Sequence, residues 1–129
     1  MISLQEYKGS KSVKNLVQKM FEARQVAHNV HFQTKSYSLH KALNSFYDDI
    51  LDLADTFVET HQGQYGILSG HEKIDVSAIT DSEIESYLKD CAEIFSLGRD
   101  SLKDSHLKNI MDEVVALTYR TLYKVRFLK

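Results

Sequence analysis

Proline and tryptophan are absent from these 129 residues, cysteine occurs once and glycine five times. Without proline, no helix interior is broken by a residue that lacks an N–H, so long helices are permitted throughout. The one cysteine, Cys91, cannot form an internal disulfide. Its spacing with Ile84, Leu88 and Phe95 places it on an apolar helix face, as a packing residue rather than a reactive thiol. No apolar run is long enough to span a bilayer and the N-terminus has no signal-peptide core, so no membrane partner is expected and the cytoplasm is the expected compartment. Charge of one sign is scarce too. A net charge of -2 leaves no basic footprint for nucleic acid, and the cluster Lys8, Lys11 and Lys14 reads as solvated surface. Nucleic acid is therefore not an expected partner.

What is present is helical periodicity. Residues 1–129 read as one all-α domain with no repeat, low-complexity tract or linker. A first helix runs from about Ser12 to Gln33, with Val13, Leu16, Val17, Met20, Ala27 and His31 on one face. Thr34–Ser36 allows only a tight connection, so a second helix, from about Tyr37 to His61, returns antiparallel. Gly63, Gly66 and Gly70 then break the pattern, and Gln62–Ile79 reads as a long connection. Thr80 and Glu83 form a capping-box pattern ahead of a third helix with the stripe Ile84, Leu88, Cys91, Phe95 and Leu102. Asp104 or Ser105 can cap a fourth, whose face is Leu107, Ile110 or Met111, Val114, Leu117 or Thr118, Leu122 and Val125.

Lengths select the topology. The second helix is roughly 37 Å long at 1.5 Å per residue, and the connection after it can extend to roughly 60 Å. It is long enough to return along the bundle and start the third helix beside the start of the second. Two short hairpins joined by one long crossover between helices 2 and 3 make a ferritin-like four-helix bundle, and that is the expected fold.

The chemistry concentrates in residues 27–63. On the second helix Leu39, Leu43, Phe46, Ile50, Ala54 and Phe57 form an apolar stripe at about 100° per residue. Beside it, on a shoulder, fall His40, Asn44, Tyr47, Leu51, Asp55 and Val58, with Glu59 a little further round. Asp49 and Asp52 point outward, as does Asp48, although Asp48 lies two turns from His40 on the same side. A turn centred near Lys35–Ser36 sets His31 level with His40 and His28 level with Asn44. His31 then points into the apolar face and His28 lies on its shoulder.

This stretch resembles the first helical hairpin of the miniferritins, the DNA-protection-during-starvation type. Those proteins carry a histidine late in the first helix, then a histidine and an aspartate one turn apart early in the second. An aspartate and a glutamate one turn apart follow further on. His40 takes the second-histidine place, and Asp55 and Glu59 take the aspartate–glutamate place at the family's spacing. Asn44 stands where the resemblance calls for the first aspartate, a departure that removes one charge, and Asp48 is the neighbouring carboxylate able to replace it. The first histidine is open between His28, at the family's spacing from His40, and His31, in the better local match His31-Phe32-Gln33-Thr34-Lys35. The chain is also similar to small ferritin-like proteins of tailed bacteriophages, through His28–Phe32, Ser36–Leu43 and Asn109–Glu113.

The resemblance implies iron, bound between two-fold-related subunits by the histidine side of one and the Asp55/Glu59 side of the other, with ferrous oxidation as the activity. The residues agree with sharing. His40 and Asp55 lie roughly 22 Å apart along one helix and cannot hold one ion within a chain. Imidazole and carboxylate ligands suit Fe(II), and Mn or Zn as well. The expected partner is a second copy, in a homo-oligomer built on a two-fold dimer, since Tyr47, Leu51 and Val58 would leave apolar area wet in a monomer. The alternative is a non-catalytic ferritin-like structural or interaction protein that has lost the metal, as Asn44 would allow.

Overall fold

The computed structural model describes Met1–Lys129. It is all-helical, without strands: α1 (Leu4–Gly9), α2 (Val13–Gln33), α3 (Tyr37–Tyr65), α4 (Ile84–Asp100) and α5 (Ser105–Phe127). Helices α2–α5 are the four expected from periodicity. The expectation of four helices is short by one, because six residues are too few to show a periodic face. What makes α1 a helix is local. The Ser3 hydroxyl accepts the Glu6 N–H at 3.1 Å, and the fully buried Tyr7 anchors the turn in the core. No helix is long and apolar enough to cross a membrane.

Serines start the next two helices. Ser12 accepts the Asn15 N–H at 3.0 Å and Ser36 accepts the Leu39 N–H at 3.3 Å, each satisfying an orphan donor of a first turn. Helix α3 runs to Tyr65, past the expected end at His61. Gly63 is helical within it, and Gly66, at φ 94, ends it in a conformation that glycine adopts without strain. Before α4, Glu83 reaches back to the Thr80 N–H at 3.0 Å, which is one half of the expected capping box. Asp104 stands at the α5 cap position, yet its carboxylate accepts from the Tyr65 hydroxyl and the Gln64 amide instead.

Helix α2 packs on α3, α4 on α5, α3 on α5 and α2 on α4, with α1 against α4. The connection of residues 66–83 leaves α3 at the end where Tyr65 meets Asp104. Its last residues are bonded at the α2–α3 turn: Gln33 donates to the Ile79 carbonyl at 2.5 Å and Thr34 to Asp81 at 2.6 Å. The core contains most of the stripes read from the sequence, with Phe46, Ile50, Phe57, Cys91 and Phe95 completely buried. Tyr7, Ala23, Val26, Val30 and Ile94 join it from outside those stripes, and Val13, Leu39, Leu102 and Val125 are only partly buried. Burial also pushes the Cys91 thiol up to about 12, against the pull of the Lys19 ammonium, so the thiol stays protonated.

One buried cluster was not expected. Lys19 and Glu22, one turn apart on α2, form an ion pair at 2.5 Å with both side chains almost wholly inaccessible. Lys19 also donates to the Ile2 carbonyl at 2.6 Å. Glu22 accepts from the Ile2 N–H at 2.7 Å and from the Tyr87 hydroxyl at 2.6 Å. Every strong demand of the pair is met, which is the condition for keeping charges dry. Two consequences follow for stability. Lys19→Met alone strands a carboxylate and should cost about 3–5 kcal/mol in urea unfolding, whereas Lys19→Met with Glu22→Leu should recover most of that loss. At Gly98 a Cβ would stand 2.4 Å from a Leu16 methyl and 2.8 Å from the Tyr7 hydroxyl. Gly98→Ala should therefore cost about 1–3 kcal/mol by overpacking, while Gly63→Ala, in open space within α3, should gain about 0.5–1 kcal/mol in the same assay.

Candidate functional site

The tight turn Thr34–Ser36 brings the last turn of α2 level with the first turns of α3, and the histidines meet there. His31 Nδ1 lies 2.8 Å from the His40 carbonyl and His40 Nδ1 lies 2.9 Å from the His31 carbonyl. A carbonyl only accepts, so both Nδ1 atoms carry the proton. The two rings stack at 3.6 Å with an interplanar angle of 18°. Each Nε2 is left as a lone pair that no hydrogen bond of the chain uses. A carbonyl on the far nitrogen is the arrangement that orients and enriches a metal-binding imidazole.

A second stack lies beside the first. His28 stands 4.0 Å from Tyr47 and 4.6 Å from Phe32, in near-parallel planes. The Tyr47 hydroxyl donates to Asn44 Oδ1 at 2.9 Å, and Asn44 Nδ2 donates to Asp48 at 3.0 Å. Asn44 thus holds the exposed Asp48 carboxylate on the imidazole side. His28 is held below its ordinary value of 6.5, first by desolvation and then by the Arg24 and His31 charges, with Asp48 acting in the opposite sense.

Asp55 and Glu59 lie further along α3, exposed and free of ion pairs. They line a groove of about 620 Å³ whose floor includes Phe21 and Val58 and whose rim includes Lys14, His71 and Glu72. His71 and Glu72 arrive from the irregular connection, where no periodicity could have signalled them. Arg24, four residues before His28 on α2, is the other residue that acts on this site, and that spacing is its one sign in the sequence. No three metal-ligating side chains converge within the chain. The stack adds a second limit. With Nε2 lone pairs in nearly parallel ring planes, one ion can meet His31 or His40 head-on, but not both. The candidate residues therefore fall into two separate groups. One is His28, His31, His40 and Asp48 around Asn44, and the other is Asp55 and Glu59.

The electrostatics of His28 can be measured directly. Its depressed affinity for a proton favours the folded chain when neutral, a contribution present above the ordinary histidine value and lost as pH falls through the folded-state value. A proton NMR titration should place the His28 midpoint below 6.5. Arg24→Gln should move that midpoint up and Asp48→Asn should move it down.

Comparison with known proteins connects the chain to one family. A stretch of 47 residues is 38% identical to the uncharacterized 14.6 kDa protein in the mobD-ri intergenic region of Enterobacteria phage T4, covering 36% of this chain and 37% of that protein. No solved structure matches. A family model described as a family of unknown function (DUF5856) matches residues 31–125. That span begins at His31 and includes His40, Asp55, Glu59 and all of α3, α4 and the connection between them, and the chain belongs to that family.

Proposed function

We propose that this chain is a ferritin-like protein that pairs with a second copy across the outer α2–α3 face and takes up iron between the two subunits. The ferritin-like reading is supported by connectivity. Two hairpins with short turns, α2–α3 and α4–α5, are joined by residues 66–83, whose two ends are bonded at opposite ends of the bundle.

The observation that carries the functional reading is the asymmetry of the face. Oriented imidazoles with unused Nε2 lone pairs sit at one end, and the unpaired carboxylates Asp55 and Glu59 sit at the other. An antiparallel two-fold pairing sets each end against its complement, which a single chain cannot do. His40 or His31 would then supply one nitrogen and His28 another, with Asp48 near them in place of the missing aspartate. The partner's Asp55 and Glu59 would complete an oxygen-rich set suited to Fe(II), and to Mn or Zn by the same donors. A bound ferrous ion is the substrate, and the chemistry it supplies is loss of one electron to oxygen or peroxide.

The second reading is a scaffold of the same fold without metal. It is favoured by Asn44, whose amide already serves Tyr47 and Asp48, and by the His31/His40 stack, which locks the hairpin whether or not a metal binds.

Ferrous oxidation followed by absorbance, with metal content measured alongside, separates the two. Asn44→Asp should raise iron affinity by about tenfold by restoring a charge near the ion. His40→Ala and Glu59→Ala should bring uptake and oxidation to background while the helical circular dichroism is retained. A parent protein that takes up no iron, together with an Asn44→Asp variant that gains none, would leave the scaffold.

A further inference from the structure

Two features of the α2–α3 face are incomplete in the single chain. The first is Arg24. It follows Val17 and Phe21 and precedes His28 and His31 along one line of α2, at the 4-3-4-3 spacing that faces α3. Its Nε is buried and donates to nothing. A guanidinium donor left dry and unpaired is costly, and a well-placed acceptor would remove that cost. The second is the groove of Asp55, Glu59 and Glu72 over Phe21 and Val58, which holds three carboxylates against one lysine, Lys14. None of those carboxylates takes part in an ion pair.

The two features are related by position. If His40 faces the partner's Glu59, the two-fold axis crosses α3 midway between them, at Asp49–Ile50. His31 is level with His40, so that height on α2 is Phe21. Arg24 lies three residues to one side of Phe21 and Gln18 of the groove lies three residues to the other, each roughly 5 Å from the axis along the helix. A two-fold operation therefore carries each Arg24 over the other chain's groove, twice per pair, as an isologous contact requires.

We propose that the groove is the seat of Arg24 from a second copy, with the partner's Asp55 as the main acceptor and Phe21 packed on its own copy at the axis. The contact rests on the two-fold pairing put forward above, but not on iron. It assigns Arg24 an assembly role and accounts for the unpaired acids as one side of an ion-paired seam. Planar, forked donors suit Arg for a half-dry carboxylate site better than Lys, whose compact ammonium is more strongly hydrated.

Sedimentation velocity at micromolar concentration in the presence of EDTA tests the proposal without metal. The parent should be a dimer. Arg24→Glu should weaken dimerisation at least ~30-fold by setting like charges together, and Asp55→Arg should do the same. The double reversal Arg24→Glu with Asp55→Arg should restore the dimer, an outcome that misfolding of either single variant could not produce. A dimeric parent with an equally dimeric Arg24→Glu variant, or a double reversal that stays monomeric, would overturn the role of Arg24 and leave the pairing intact. A monomeric parent would overturn the two-fold reading and this contact with it, leaving the groove to another ligand.

Discussion

The geometry of the functional face depends on the register of one hairpin, and that register is held by two imidazoles. His31 and His40 each donate to the other's carbonyl and stack ring on ring. The His31 carbonyl lies in the last turn of α2, where it would otherwise need water or a cap, whereas the His40 carbonyl lies in the first turns of α3 and also serves its own helix. Slipping α3 by one residue against α2 would break both bonds and the stack. It would also separate His28 of α2 from Tyr47, and so from the Tyr47–Asn44–Asp48 chain of α3. The same contact thus caps the end of α2, ties it to the first turns of α3 and fixes the orientation of both rings.

A bundle that commits so many polar groups to one outer face needs its stability from elsewhere. It comes from ordinary apolar stripes and from one atypical element, the Lys19–Glu22 pair. Buried pairs seldom add net stability over apolar residues of the same size. What this one does is specify: only a main chain offering an N–H and a carbonyl together, as Ile2 does, satisfies both charges, and only Tyr87 in its α4 position satisfies the third bond. The pair therefore fixes the N-terminal segment and the α2–α4 contact in one arrangement, with Tyr7 and Gly98 packed just beyond it.

The two groups of candidate residues and the unpaired Arg24 support a single reading of the α2–α3 face. In one chain the imidazoles have Asp48 as their one neighbouring carboxylate, Asp55 and Glu59 form no ion pair, and the buried Arg24 Nε has no acceptor. The proposed two-fold pairing would bring these groups together, which is why assembly and chemistry are proposed together. The phage T4 relative, itself uncharacterized, aligns over about a third of its length.

Much of this was legible in the residues themselves. Helix periodicity exposed four of five helices and most of the core, because a long amphipathic stripe repeats its signal many times. Hairpin register followed from a three-residue turn, which set His31 level with His40; the mutual hydrogen bonds and the ring stack are decided by the tertiary structure. Helix α1 escaped because its six residues are held by a cap and one buried tyrosine rather than by a stripe. The Lys19–Glu22 cluster escaped because two charges at helical spacing normally mean a solvated surface, and only the docking of Ile2 and Tyr87 makes them an interior. The arrival of His71 and Glu72 beside Asp55 and Glu59, and the burial of Arg24 Nε, were decided by the tertiary structure. Periodicity places residues on the face of their own helix. Which irregular segment covers that face, and which polar atoms it leaves without a partner, depends on contacts between residues far apart in the chain.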